Sequence, residues 1–189
     1  MNTKSKLLKV AFDEIYQNGY SATSIDKILK KANMNKGSMY HFFKSKKELT
    51  LAIISVHINT YIEDKYASLL VLEDNIIDGL IELIKNKDKY NMTYGCRLNN
   101  LVQELSSKDE EFKKALEKVY FNFEEIIQTV LENAVKNKEI KHPNIKELAI
   151  FVVASIEGCL ATAKKSNSSE IYVSCISQLA YYLNSLKIK

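Results

Sequence analysis

The chain has 189 residues, 46% of them hydrophobic, with one proline and five glycines, so it can bury a sizeable core but has little punctuation for strands and hairpins. This excludes a disordered chain and points to an all-α fold, and the absence of any run of about 18 apolar residues excludes a membrane-spanning helix. The net charge of +4 is uneven: residues 1–50 carry ten Lys against four acids, a net of +6, whereas residues 51–189 carry seventeen basic against nineteen acidic residues, a net of −2.

A lysine-rich head on a mildly acidic body suggests a polyanionic partner for the head alone. A first helix is expected over roughly residues 3–17, with Leu8, Ala11, Phe12 and Ile15 as its buried stripe and Asn18-Gly19 at its close. Thr23 reads as the N-cap of a second helix, with Asp26 completing a capping box. Ile25, Ile28 and Leu29 then share one face, opposite Lys27, Lys30 and Lys31. Asn33 suits the left-handed residue of a sharp turn, and Asn35 caps a short third helix whose Met39, Phe42 and Phe43 supply apolar contacts. Ser45 with Glu48 opens a fourth helix that runs without a breaker through Leu49, Ile53, Ile54, Ile58, Tyr61 and Ile62 toward Leu70.

The body reads as five more helices. They run from Asp74 to about Asn86, from Leu98 to Leu105, from Asp109 to about Lys136 behind a Ser107–Glu110 cap, from Asn144 to about Lys164, and from Asn167 to about Leu186. Residues 91–96 and His142-Pro143-Asn144 are the breaks. The expected organisation is a head of residues 1–50, with a helix-turn-helix at about 24–43, and a body of residues 51–189.

Helix, tight turn, helix is the geometry that lays a second helix in the DNA major groove. Thr23 and Ser24 are placed to offer hydroxyls and backbone N–H groups to a phosphate, while Lys36, Ser38 and His41 lie on the helix that reads base edges. Gly37 permits close backbone approach. The head has no arginine, so Lys36 is the candidate donor to guanine O6 and N7. Two rival readings are a binder without sequence preference and an enzyme with a DNA-binding appendage. Against the enzyme, His41, His57 and His142 lack metal-ligand spacing, and no phosphate loop, Ser–His–acid order or C-x-x-C occurs; no metal, cofactor or catalytic residue is expected. Cys96, Cys159 and Cys175, three and widely spaced, suggest free thiols in a reducing compartment, and the N-terminus lacks the apolar core of a signal peptide, so a cytoplasmic location is expected.

Thr23-Ser24-Ile25, Lys36-Gly37-Ser38-Met39-Tyr40 and Phe43-Lys44-Ser45-Lys46, with about nine helices in this length, resemble the TetR family of bacterial transcriptional regulators. Residues 7–51 carry that resemblance; the body matches in helix count and length. Asn33 stands where the family commonly has Gly, and Phe42 where it often has His or Tyr, so Phe42 is expected to pack rather than donate. The resemblance implies a homodimeric repressor on double-stranded DNA with a palindromic operator, released by a small-molecule effector in the body. It adds Asn35, Tyr40, Lys44 and Lys46 to the DNA-contacting set. It places the dimer surface on the last two helices, with Phe151, Ser155, Cys159, Val173, Ile176, Leu179, Ala180 and Leu183 as candidates. It places the effector pocket among His57, Tyr61, Met92, Tyr94, Asn100, Tyr120, Phe123 and Phe151.

Cys96-Arg97 is the sharpest feature of the body. Arg97 is the chain's one arginine, and a helix N-terminus with an adjacent cation favours a reactive thiolate. Gly95-Cys96, Asn100-Leu101 and Glu104-Leu105-Ser106 are similar to a branch of the family that includes thiol-based electrophile sensors. Two other readings stay open: Cys96 as a small buried hydrophobe, or Arg97 binding an anionic ligand while Cys96 packs.

Overall fold

The computed structural model describes residues 2–188, and these form nine α-helices, most of them opened by a side-chain cap. They are α1 (Thr3–Asn18), α2 (Ile25–Ala32), α3 (Lys36–Phe42), α4 (46–70), α5 (Ile76–Lys85), α6 (Arg97–Leu105), α7 (Glu110–Lys136), α8 (Ile145–Ser166) and α9 (Ser169–Ser185). No sheet forms among the described residues; Ile140 and Lys187 make one isolated antiparallel bridge. Among the described residues no helix is long and apolar enough to cross a membrane.

Several caps fall where the sequence places them. Gly19 closes α1 at φ 83°, Asn33 closes α2 at φ 52°, and the oxygens of Asn35, Ser45 and Asn144 accept from the N–H three residues on. Three lie elsewhere. Ser24, not Thr23, caps α2, accepting from the Lys27 N–H at 3.2 Å. Asp109, not Ser107, caps α7, accepting from Glu111 and Phe112 at 3.0 and 3.1 Å. Asn167 ends α8 in the left-handed region, and Ser168 opens α9. Each error is one or two residues, because Ser, Thr, Asn and Asp compete for adjacent cap positions.

α4 is continuous but not uniform: Ile53–Ile58 form a π turn between the α segments Lys46–Ala52 and Asn59–Leu70. The chain divides into two compact units inside α4 rather than at residue 50. The first holds the described residues up to Tyr61 together with Arg97–Tyr120, and the second holds Ile62–Cys96 and the described residues from Phe121 onward. The head alone is small, and α6 with the first half of α7 completes its core.

In the first unit Leu7, Ala11, Ile28, Met39, Leu49 and Ile53 are fully buried, and Leu98, Leu101 and Leu105 form the apolar stripe of α6. Buried Glu14 ties α1 to α2 through Lys27, at 3.0 Å, and Lys31. In the second unit the Glu139 carboxylate accepts from the Ile76 and Ile77 N–H groups at 2.9 and 3.0 Å, capping α5 from a distant stretch of chain. The Tyr172 hydroxyl donates to the Ile84 carbonyl at 2.8 Å.

Cys159 and Cys175 are joined by a disulfide, with Cα atoms 5.5 Å apart, which corrects the expectation of three free thiols. Both stand eight residues from Asn167, so they face each other across the α8–α9 hairpin. The same hairpin packing takes up most of the candidate dimer residues. Cys159, Ile176, Leu179, Ala180 and Leu183 are buried within the chain, Ser155 and Val173 are half-buried, and only Phe151 is well exposed. The outer face instead carries Ile150, Phe151, Ala154, Gly158, Ala161 and Tyr181.

Candidate nucleic-acid interface

The turn between α2 and α3 is set by Asn33 in the left-handed conformation and by the Met34 N–H donating to the Leu29 carbonyl at 3.0 Å. The Asn35 side-chain oxygen then accepts from both the backbone N–H and the hydroxyl of Ser38, at 2.8 and 3.1 Å. A Cβ on Gly37 would approach that oxygen to 3.3 Å, so glycine leaves the cap uncrowded. The short α3 is anchored by Met39, fully buried, with Phe42 half-buried edge-on to His41. Its outer face is polar: Lys36, Gly37, Tyr40 and His41 are exposed and Ser38 is half-buried. Lys44 is exposed just beyond.

Beside this face an open groove of about 350 Å³ is lined by Ser24, Ile25, Asp26, Lys36, Tyr40 and Lys46. The Lys46 ammonium donates to the carbonyls of Tyr20 and Thr23 at 2.9 and 2.8 Å and lies 4.1 Å from the Tyr20 ring centroid. That leaves the third of its N–H groups for a ligand in the groove. Burial lowers its pKa, opposed by the charge of Glu104. Lys36 pairs with Asp26 at 2.9 Å, both exposed, an interaction weak enough for a base edge or phosphate to displace. Thr23 departs from expectation. It is 1% exposed, and its hydroxyl donates inward to the Gly19 and Glu14 carbonyls at 2.7 and 3.3 Å, so it has no hydroxyl to present. Lys27 and Lys31 face Glu14 rather than the groove.

Glu104, absent from the sequence-based candidates, holds this surface from behind. Its carboxylate accepts from the backbone N–H groups of Tyr20 and Ser21 at 2.8 and 2.7 Å. It also fills the space a Cβ of Gly19 would occupy, 3.1 Å away. Burial alone would raise its pKa; the bonds from Ser21 and Tyr20, with the charge of Lys108, outweigh that and lower it. Lys46 grips the carbonyls of the same loop and Glu104 its N–H groups, so Ser24 follows a loop held from both sides. A spacing rule could not find Glu104, because its partners lie 83 and 84 residues away.

The candidate effector residues divide between the units. In the first, the Arg97 guanidinium lies 3.9 Å from the Tyr61 ring centroid and 5.2 Å from that of Phe12, which in turn stacks on His57 at 6.0 Å. Phe12 and Tyr16, an i, i+4 aromatic pair on α1, were not among the sequence candidates. Asn100 and Tyr120 are half-buried. In the second, Met92 and Tyr94 are half-buried, while Phe123 is core, 5.0 Å from the Tyr66 ring. Phe151 is not a pocket liner: it is 49% exposed and edge-on to Tyr182. Cys96 is half-buried and outside the disulfide, and its thiol is a hydrogen-bonding neighbour of Glu157, whose carboxyl oxygen Oε2 is buried without a hydrogen-bond partner. Burial raises the Glu157 pKa against the lowering effects of Cys96 and Lys65. A carboxylate beside the thiol opposes the thiolate, contrary to the adjacent cation considered from the sequence.

Comparison with known proteins agrees with this geometry. Residues 7–53 match the profile of the bacterial regulatory proteins of the tetR family, and residues 74–175 match that of the LmrA/YxaF-like transcriptional regulator C-terminal domain. An uncharacterized HTH-type transcriptional regulator from the lacX 3′ region of Lactococcus lactis is 32% identical over 167 residues, covering 86% of this chain and 84% of its own. The HTH-type transcriptional regulator LmrA of Bacillus subtilis is 27% identical over 186 residues, covering 94% of this chain and 96% of its own. The crystal structure of Escherichia coli NemR in its reduced form shares the fold, with a TM-score of 0.87 at 22% identity over 100% of this chain and 98% of that one. An N-terminal helix-turn-helix with a polar outer face, followed by a helical body that matches a regulator domain, identifies the chain as a DNA-binding transcriptional regulator of the TetR family.

Proposed function

We propose that the protein is a homodimeric repressor that binds a palindromic operator through α3 and leaves it when a small molecule occupies the body. The observation that carries this reading is the exposed polar face of α3, set on buried Met39 and flanked by the Ser24–Lys46 groove. Lys36 donates to guanine, Ser38 and His41 contact neighbouring base edges, and Ser24, Tyr40, Lys44 and Lys46 hold phosphates. Asn35 acts as the cap that keeps the reading helix formed.

One such head buries too little for tight specific binding, and two heads about 34 Å apart read a palindrome. The outer face of α8 and α9 supports pairing. Gly158 has nothing within 4 Å of its Cβ position, and Ile150, Phe151 and Tyr181 are 42%, 49% and 75% exposed. Small residues between large apolar ones allow two helices to approach closely. A repressor sense fits the relative named HTH-type transcriptional repressor NemR, 24% identical over 140 residues. An effector that favours one setting of α4 alters the separation of the two α3 helices, and mismatch with the half-site spacing releases the DNA.

Glu157 beside Cys96 supports a second, covalent route to release, in which the carboxylate keeps the resting thiol protonated and takes its proton only as the sulfur reacts. The sulfur adds to the β-carbon of an α,β-unsaturated carbonyl compound as its proton passes to Glu157; the C=C π pair moves to the α-carbon, which takes that proton back, so a neutral thioether forms and Glu157 is restored. Operator selection from random DNA, followed by anisotropy titration of wild type and Cys96→Ser with and without N-ethylmaleimide, tests both parts. A palindrome is expected, with maleimide sensitivity in wild type only. Uniform binding to all sequences sinks the repressor reading, and a maleimide-indifferent palindrome sinks the covalent route alone.

A further inference from the structure

Arg97 opens α6 and is half-buried in the first unit. Three rings surround its guanidinium, those of Tyr61, Phe12 and Tyr16, at 3.9, 5.2 and 5.5 Å to their centroids. Among the described residues it makes no ion pair and no hydrogen bond. Aromatic faces attract the cation but accept no fork of N–H bonds, so its five donors remain unused. A half-buried charge without a counter-ion is an uncommon arrangement.

The same place holds a second unpaired group. His57 Nε2 is buried and has no hydrogen-bond partner, and its ring stacks on Phe12 with 23° between planes. Burial lowers the His57 pKa against the charge of Asp13, which favours the neutral ring, whose Nε2 donates or accepts according to tautomer. His57 lies on the π turn of α4, a feature frequent at functional sites. Three elements of one unit thus bring together an uncompensated cation, an orphaned imidazole nitrogen and an aromatic wall.

We propose that this cluster binds an aromatic organic anion. Arg97 forks onto its carboxylate or phosphate, His57 Nε2 makes a second polar contact, and Phe12 and Tyr61 cover the ring. A cation is repelled by Arg97, and a neutral molecule leaves the guanidinium uncompensated. The inference rests on the reading of a ligand-released regulator and names the chemistry of the ligand. It also supplies a route to the DNA face: Glu104 lies seven residues further along α6, about 10 Å at 1.5 Å per residue. An anion that draws Arg97 off the rings therefore pulls on the helix that grips the Tyr20–Ser21 loop.

The test is titration calorimetry of the full chain with benzoate, phenyl phosphate and neutral benzamide, on wild type, Arg97→Lys, Arg97→Gln and His57→Gln. At least one anion is expected to bind wild type with Kd below about 1 mM and benzamide at least about tenfold more weakly. Arg97→Gln loses about tenfold or more for that anion, and Arg97→Lys and His57→Gln fall between. The contrast between anions and benzamide uses wild type alone and so survives a misfolded variant. The proposal is overturned if neither anion binds wild type at about 10 mM, if benzamide matches them, or if a folded Arg97→Gln keeps wild-type affinity. Operator binding is measured separately. A wild type that binds a palindrome but no anion loses only this inference, whereas loss of operator preference defeats the regulator reading and leaves the calorimetry intact.

Discussion

Replacing Glu104 separates a residue that positions the DNA face from one that only stabilises it. Glu104→Ala removes two backbone N–H bonds to a carboxylate, at 2.8 and 2.7 Å, and opens the space beside Gly19. Hydrogen bonds to a charged group are worth about 1.5–3 kcal/mol each, but this one is shared with solvent, so about 2 kcal/mol for the pair is the expected loss. If the loop must be re-ordered when DNA binds, that loss appears in affinity, about thirtyfold per head at 1.4 kcal/mol per decade. Glu104→Gln keeps one acceptor and is expected to lie between. The assay is anisotropy on a selected operator across a salt series, with thermal unfolding in parallel. Loss of ordered phosphate contacts at Ser24 and Lys46 lowers the salt slope by about one per head while base preference is kept. A lower melting temperature with affinity within about twofold of wild type and an unchanged salt slope would refute the positioning role.

Lys36→Ala is expected to weaken the operator complex about tenfold and relax preference at one base pair per half-site, as read by repeating the selection. Asp26→Asn, which frees Lys36 from its exposed partner, is expected to strengthen binding modestly in the same titration. Under denaturing conditions without reductant, mass spectrometry is expected to find one alkylated cysteine per chain, Cys96, and three after reduction; three without reductant contradicts the Cys159–Cys175 bond. Opening that bond, whose ends are 16 residues apart, lowers unfolding free energy by about 3 kcal/mol. For Glu14, burial alone would raise the pKa, but Lys31 and Lys27 outweigh it and hold it below 4.5, so its contribution is full above that value and lost as pH falls through the lowered one. Glu14→Gln, with partners 43% and 54% exposed, is expected to cost about 2 kcal/mol at pH 7 in chemical denaturation, the difference shrinking only below about pH 4.5.

Local rules reached much of this fold. Asn33 needed the left-handed region, Asn35 and Ser45 had the right residues after them, and the stretch after Ser45 lacked a breaker. Choices between neighbouring cap residues failed at Thr23, where a methyl-bearing side chain is buried and its one-residue-later neighbour serves instead. The π turn of α4 left no mark in composition. On α8 and α9 the family resemblance names the helices but not the stripe that turns inward, and Ile176 and Leu183, candidates for the partner face, are buried within the chain. The disulfide was legible in principle, from two cysteines equidistant from Asn167, once the hairpin was drawn. Glu104 and the Phe12–Arg97–Tyr61 cluster depend on contacts between segments far apart in sequence, which one chain read alone does not supply.

The most direct test of the central claim is the dependence of binding on half-site spacing. Two α3 helices held by one dimer require half-sites on the same face of the duplex, about one turn apart. Anisotropy titration is to be made on the selected operator and on versions with about five or about ten base pairs inserted at its centre. The account predicts one dimer per operator, with affinity falling about a hundredfold on the half-turn insertion. Binding that ignores the insertion, or saturates at one chain per half-site with equal affinity, would contradict it.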